Sequence, residues 1–238
     1  MFEENENFSA FSCIPKVVDK VFVLLHGYGS NSDDMRGLLE LFARHFPKVA
    51  FYCPNAPEPT LTESSGRQWF PMDDMFPALA SMDKEGSFEV CRSMLKGVES
   101  ARKFIESLIG KITQHHNLQK SDIVLGGFSQ GGAVALYTGL SSSDSYAGLM
   151  GLSTLANCFC ADSIKSRPPV LLTHGLQDEV LPFVSFETTF AKLKELSVPV
   201  QGVSVSDMGH AINFEVVRSI RRFLQDIFYP KKADLDKD

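Results

Sequence analysis

The stretch Ile123-Val-Leu-Gly-Gly-Phe-Ser-Gln-Gly-Gly132 decides how this chain is read. Ile123, Val124 and Leu125 make a short apolar strand, and the small residues from Gly131 onward start a helix. Gly127-Phe-Ser-Gln-Gly131 therefore occupies a tight strand-to-helix turn. Such a turn forces its serine into a strained backbone conformation and lifts the hydroxyl above the sheet edge. Glycines two positions to either side let neighbouring backbones approach where a Cβ would clash. The helix that begins after Ser129 aims its N-terminal amides, and the positive end of its dipole, at the place where charge develops on an attacked carbonyl. The plain alternative is a glycine-rich turn where a strand passes close to a helix. The strand and helix flanking Ser129 favour a nucleophile.

Working outward, the same strand-then-helix unit recurs. Val21 to Leu25 is an unbroken apolar run suited to a strand buried on both faces. A helix follows, with Ser32 or Asp33 as its cap and Met35, Leu38, Leu39 and Phe42 at helical spacing. Residues 48–53 read as the next strand. From Met94 the apolar residues Val98, Ala101, Ile105, Leu108 and Ile112 recur three or four apart, which predicts one long amphipathic helix. Beyond Ser129, strands are expected near residues 149–153, 170–173 and 200–205, with helices over 183–196 and 214–228. Repeated βα units imply an α/β fold with a mainly parallel sheet, helices on both faces and no large cap domain. We expect a single domain over residues 1–238, with residues 1–16 as an N-terminal extension and 230–238 as a frayed tail. Residues 54–90 carry five prolines and the only tryptophan without a sustained period, and read as a long lid or groove loop.

A serine hydroxyl is a weak nucleophile until a base lies within reach and a carboxylate orients that base. His174-Gly-Leu-Gln-Asp178 and Asp207-Met-Gly-His210 each follow a predicted strand, so both loops return to the sheet edge that carries Ser129. Asp178 is the expected acid, with Glu179 and Asp207 as competitors, and Asp178 as a mere helix cap is the bland alternative. His210 is the expected base. His45, His115 and His116 fall on helix surfaces or ends, while His26 and His174 come too early in the order serine, acid, histidine. Acyl transfer also needs donors for an oxyanion, each worth roughly 3 to 4 kcal/mol. The backbone N–H of Gln130 is one candidate, and Leu25-His-Gly-Tyr-Gly-Ser-Asn31 has the glycines of a loop that supplies the second. That loop lacks the third glycine of GxGxxG and the Gly-Lys-Ser/Thr of a P-loop, which argues against a nucleotide site.

Composition narrows the classes further. The 238 residues carry a formal charge of −6, with basic residues scattered among more numerous acids, which argues against nucleic acid. Arg218, Arg221 and Arg222 read as the wet face of the last helix. The five cysteines are odd in number and lack paired metal spacing, so free thiols in a reducing compartment are expected. The segment Met1-Phe-Glu-Glu-Asn-Glu6 is acidic where a signal peptide is basic, and no apolar run reaches the roughly 18 residues of a membrane span. A cytoplasmic protein without integral membrane association follows. No metal or other cofactor is required.

Together these segments resemble the phospholipase/carboxylesterase family of the α/β-hydrolase superfamily, which includes the acyl-protein thioesterases and bacterial carboxylesterases. The likeness rests on Leu25-His-Gly-Tyr-Gly-Ser-Asn31, Cys53-Pro-Asn-Ala-Pro57, Arg67-Gln-Trp-Phe70, Gly126-Gly-Phe-Ser-Gln-Gly-Gly132, His174-Gly-Leu-Gln-Asp178 and Met208-Gly-His210. It implies Ser129, Asp178 and His210 as a catalytic triad and the backbone N–H groups of Tyr28 and Gln130 as oxyanion donors. It also implies that Trp69 and Phe70 border an acyl-chain groove. Tyr28 stands where the eukaryotic thioesterases tend to have leucine, and Trp69-Phe-Pro-Met72 replaces their Trp-Phe-Asp, so a bacterial-type esterase is the closer likeness.

The residues themselves suit that substrate class. Trp69, Phe70, Met72, Met75, Phe76 and Leu79 sit in a segment too irregular to bury them as a helix stripe, which fits an apolar acyl groove or, alternatively, closure over the core. The expected reaction is hydrolysis of a carboxylic ester with a short or medium acyl chain through an acyl-enzyme. An acyl thioester or a lysophospholipid are the competing substrates. A catalytically silent ligand-binding module on the same fold is the competitor from another class. Oligomeric state stays open, a homodimer included.

Overall fold

A computed structural model describes residues 10–61 and 65–230. Strand β1 spans Ala10–Cys13, β2 Lys20–Leu25, β3 Val49–Pro54, β4 Glu58–Pro59, β5 Arg67–Gln68, β6 Ile123–Phe128, β7 Gly148–Leu152, β8 Val170–Gly175 and β9 Val200–Val205. Helix α1 spans Arg36–Ala43, α2 Phe76–Ala80, α3 Lys84–His116, α4 Gln130–Leu140, α5 Val184–Glu195 and α6 Phe214–Phe228. Among the described residues, seven strands form one sheet in the order β1-β3-β2-β6-β7-β8-β9, parallel except for β1, which runs antiparallel to β3. This is the α/β architecture that the strand-helix alternation predicts. The expected N-terminal extension differs in part, since β1 pairs Ala10 with Pro54 and Cys13 with Phe51 at the sheet edge. The expected frayed tail lies outside the described residues from Lys231 onward.

Alternation along each strand builds two cores. On β2, Val21, Val23 and Leu25 enter the cluster beneath α3, α4 and α5, while Phe22 and Leu24 enter the cluster beneath α1 and α6. Both faces are apolar because both are covered, which is why β2 reads as an unbroken hydrophobic run. Helix α6 buries Val216, Ile220, Phe223, Leu224 and Phe228 as one stripe, each contributing roughly 1.5 to 3 kcal/mol of transfer free energy.

Three local expectations change. Helix α1 begins at Arg36 with Met35 as its N-cap and no side-chain cap, so neither Ser32 nor Asp33 fills that role. Asn55 takes the Ser32 amide, donated to Oδ1 at 2.7 Å, and Asp33 pairs with Arg36 instead. Helix α3 begins at Lys84, well before Met94. The Asp83 side chain caps it by accepting from Gly86 N–H at 2.8 Å, and Ser87, Val90 and Cys91 extend the buried stripe toward the N-terminus. The span 54–90 is therefore no continuous loop, holding the β4–β5 hairpin, α2 and the start of α3.

The thiols also differ from expectation. Cys91 and Cys158 are disulfide-bonded, leaving Cys13, Cys53 and Cys160 free. The bond ties α3 to the segment after β7, and cysteine content no longer argues for a reducing compartment.

Candidate active site

The parallel strands β2, β6, β8 and β9 end at one edge of the sheet, and Tyr28, Ser129, Asp178 and His210 follow those four ends in turn. Ligands bind at this carboxyl edge in open α/β sheets. Ser129 has φ 52° and ψ −119°, a left-handed conformation costly for a residue with a Cβ. What holds it there is crowding. A Cβ on Gly127 would fall on the Gly131 carbonyl, one on Gly131 would lie 2.6 Å from the Leu25 oxygen, and one on Gly132 would lie 2.8 Å from Thr154 Cβ. Ser129 N–H donates to Leu152 O at 2.8 Å, while its own carbonyl accepts from Gly132 N–H and from the Thr154 hydroxyl at 2.8 Å. The elbow is thus bolted to β7.

Asp178 and His210 are brought together by backbone. Leu176 N–H donates to Val205 O and Gln177 N–H to Met208 O, which zips the loop after β8 to the loop after β9. Gly175 allows this approach, because a Cβ there would overlap the Met208 carbonyl. Asp178, directly after Gln177, accepts from His210 Nδ1 at 2.7 Å through Oδ2, and from Val180 and Leu181 N–H at 3.0 and 2.8 Å through Oδ1. Burial pushes the Asp178 carboxyl up, but the His210 hydrogen bond and the Leu181 amide outweigh it and hold the pKa below the ordinary carboxylate value. The alternatives Glu179 and Asp207 are exposed. The Phe128 ring lies 4.8 Å from the His210 ring and limits its rotation.

The two early histidines have other work. His26 is fully buried and donates from Nδ1 to Gly27 O at 2.7 Å, while Nε2 accepts from Ala56 N–H at 3.0 Å. Burial drives its pKa down to about 4, and the bond to Gly27 offsets only part of that. A neutral ring with both nitrogens engaged has no capacity left as a base. His174 is also buried, donates to Leu181 O at 2.8 Å, and lies 3.3 Å from Asp178 Oδ2. Burial lowers its pKa as well.

With this geometry in place, the sequence profile of the family described as Phospholipase/Carboxylesterase matches residues 10–228. The chain belongs to that family. Acyl-protein thioesterase 1 of Aspergillus fumigatus is 29% identical over 219 residues, covering 88% of each chain. The acyl-protein thioesterase 1 homolog 1 of Dictyostelium discoideum is 27% identical over 207 residues, covering 85% of this chain and 88% of that one. Among solved structures, esterase PE8 superposes with a TM-score of 0.81 at 29% identity, covering 93% of this chain and 99% of that one. The chain is accordingly a hydrolase of the carboxylesterase/thioesterase family. No described helix is long and apolar enough to cross a membrane.

In this phospholipase/carboxylesterase family member, Ser129 and His210 line one cavity of about 110 Å³ together with Tyr28 and Gln130. Its apolar walls come from Met72, Phe76 and Leu79 in the segment before α3, and from Met94, Leu155 and Leu181 farther along the chain. Trp69 and Phe70 are not among the lining residues; each is 2% exposed and belongs to the core. Trp69 Nε1–H donates to His26 O at 2.8 Å, and Gly29 N–H donates to Arg67 O at 3.0 Å, so Arg67-Gln-Trp-Phe70 braces the loop that carries Tyr28. The Tyr28 hydroxyl donates to Asp73, three residues beyond Phe70. Sequence reasoning missed Met94, Thr154, Leu155 and Leu181. Thr154 alone had a signal, its place just past a buried strand at the sheet's carboxyl edge.

Proposed function

We propose that the chain hydrolyses carboxylic esters of short or medium acyl chain, with Ser129 as nucleophile, His210 as general base and Asp178 as the acid that orients it. One juxtaposition carries this reading: the strained Ser129 shares a cavity with His210, whose Nδ1 lies 2.7 Å from a buried carboxylate. Ser129 Oγ attacks the acyl carbonyl as His210 Nε2 takes its proton, and Asp178 stabilises the imidazolium and keeps Nδ1 protonated. The oxyanion is received by the backbone N–H groups of Tyr28 and Gln130, the latter at the start of α4, where no carbonyl one turn back is available. His210 then protonates the departing alcohol. Water repeats the sequence on the acyl-enzyme, releasing the acid and restoring Ser129. No step requires a metal or cofactor.

The cavity supports a short acyl group, since about 110 Å³ is small beside the roughly 300 to 1,000 Å³ of pockets for drug-sized ligands. Its apolar walls favour alkyl over charged acyl groups. The names of the Aspergillus and Dictyostelium relatives support a second reading, in which the leaving group is a thiol. The test is Ser129→Ala with p-nitrophenyl esters and an acyl thioester, alongside fluorophosphonate labelling of the wild type. Undiminished hydrolysis by the pure variant, or no label on Ser129, would sink the assignment.

A further inference from the structure

The side chain of Gln130 has a task separate from its backbone. It is 2% exposed, its Oε1 accepts from Trp69 N–H at 2.9 Å, and its Nε2 donates to Phe70 O at 2.7 Å. One amide therefore satisfies a buried donor and a buried acceptor on consecutive residues of the segment leading to Met72, Phe76 and Leu79. The segment has few other freedoms. Phe70 is wedged against α3, where a Cβ on Gly97 would lie 2.6 Å from Phe70 Cβ and Cγ, and Trp69 is tied to His26 O. Among these contacts, Gln130 is the one whose own backbone is bonded directly to Ser129.

We propose that the Gln130 side chain is a positioning residue that sets acyl-chain specificity, by fixing the wall formed by Met72, Phe76 and Leu79 at a set distance from Ser129. This deepens the proposed function and rests on it. The chemistry needs a neutral group with one donor and one acceptor. Methionine, of similar length, supplies neither, and a carboxylate would accept from Trp69 but turn a second acceptor toward the Phe70 carbonyl. Protonated glutamic acid restores both, its carbonyl accepting from Trp69 and its hydroxyl donating to Phe70.

The experiment measures kcat/KM for p-nitrophenyl acetate and octanoate in wild type, Gln130→Met and Gln130→Glu. Both variants keep the backbone N–H. Releasing the wall enlarges the cavity, so the octanoate-to-acetate ratio rises about tenfold or more in Gln130→Met. In Gln130→Glu the ratio stays near wild type at the acidic end of the range, where the buried carboxyl is protonated, and climbs toward the Met value as pH rises and the carboxyl ionises. The ratio cancels any titration common to both substrates, and melting curves verify that each variant is folded. An equal fall on both esters, a ratio within twofold of wild type in Gln130→Met, or a pH-independent ratio in Gln130→Glu overturns the inference. An inactive wild type without Ser129 labelling defeats the proposed function instead.

Discussion

Replacing Asp178 by asparagine is the sharpest perturbation of the site, because the structure dictates how the new side chain must sit. Oδ1 accepts two backbone N–H groups, from Val180 and Leu181, at 3.0 and 2.8 Å. An asparagine NH2 group at that position would meet two donors and lose both bonds, so the amide oxygen stays there. The NH2 group then faces His210 Nδ1, 2.7 Å away in the parent, with His174 Nε2 at 3.3 Å on the same atom. His210 satisfies it only by accepting at Nδ1, which places its proton on Nε2. On the proposed mechanism, that tautomer has no lone pair with which to take the Ser129 proton, although nearly every distance is unchanged. A loss of this kind amounts to about 10⁴-fold in kcat, or roughly 5 kcal/mol at 1.36 kcal/mol per decade. The assay is steady-state hydrolysis of p-nitrophenyl butyrate at pH 7.5, paired with thermal melting. A second readout is stability against pH. The folded pKa of Asp178 is depressed, so its contribution is present above the unfolded value near 4 and lost as pH falls through the folded value. The difference between parent and variant therefore shrinks in strong acid. A folded Asp178→Asn protein that keeps more than a tenth of parental kcat would refute the reasoning.

Other consequences are open to measurement. His26 titrates near 4 in the fold against 6.5 unfolded, so the unfolded chain binds more protons between those values. Stability is full above pH 6.5 and falls by about 3 kcal/mol toward pH 4 on this account; in urea melts, His26→Asn should flatten that part of the profile, and an unchanged slope rules out the assignment. Gly131→Ala puts a methyl 2.6 Å from the Leu25 oxygen, and overpacking against backbone costs about 3 kcal/mol; a melting temperature within a degree or two of the parent contradicts the crowding at the elbow. Denatured protein without reductant should titrate three thiols, Cys13, Cys53 and Cys160, and five after reduction. A count of five without reductant dismisses the Cys91–Cys158 bond.

Much of the framework was legible before any coordinates. Apolar runs of strand length set between helical periods specify an α/β sheet, because backbone geometry imposes those periods locally. The Gly127 to Gly131 pattern likewise marks a strand-to-helix turn, and strand-end placement singles out Asp178 and His210 as candidates among several carboxylates and imidazoles. What local pattern leaves open is which surfaces meet. Trp69 and Phe70 look like groove residues in sequence, yet hydrogen bonds to His26 and Gln130, distant along the chain, draw them into the core. The early start of α3 was hidden because Lys84, Glu85 and Gly86 put no apolar residue in its first turn, and glycine is a poor helix former. The Cys91–Cys158 pairing and the cavity walls from Met94, Leu155 and Leu181 arise only where separate elements pack. By itself, then, the sequence determined the sheet, the elbow and the identity of the residues at its edge, since each depends on neighbours within a few positions. Tertiary structure decided the shape of the cavity beside Ser129 and the bracing of its wall, since those depend on side chains whose proximity no local period encodes.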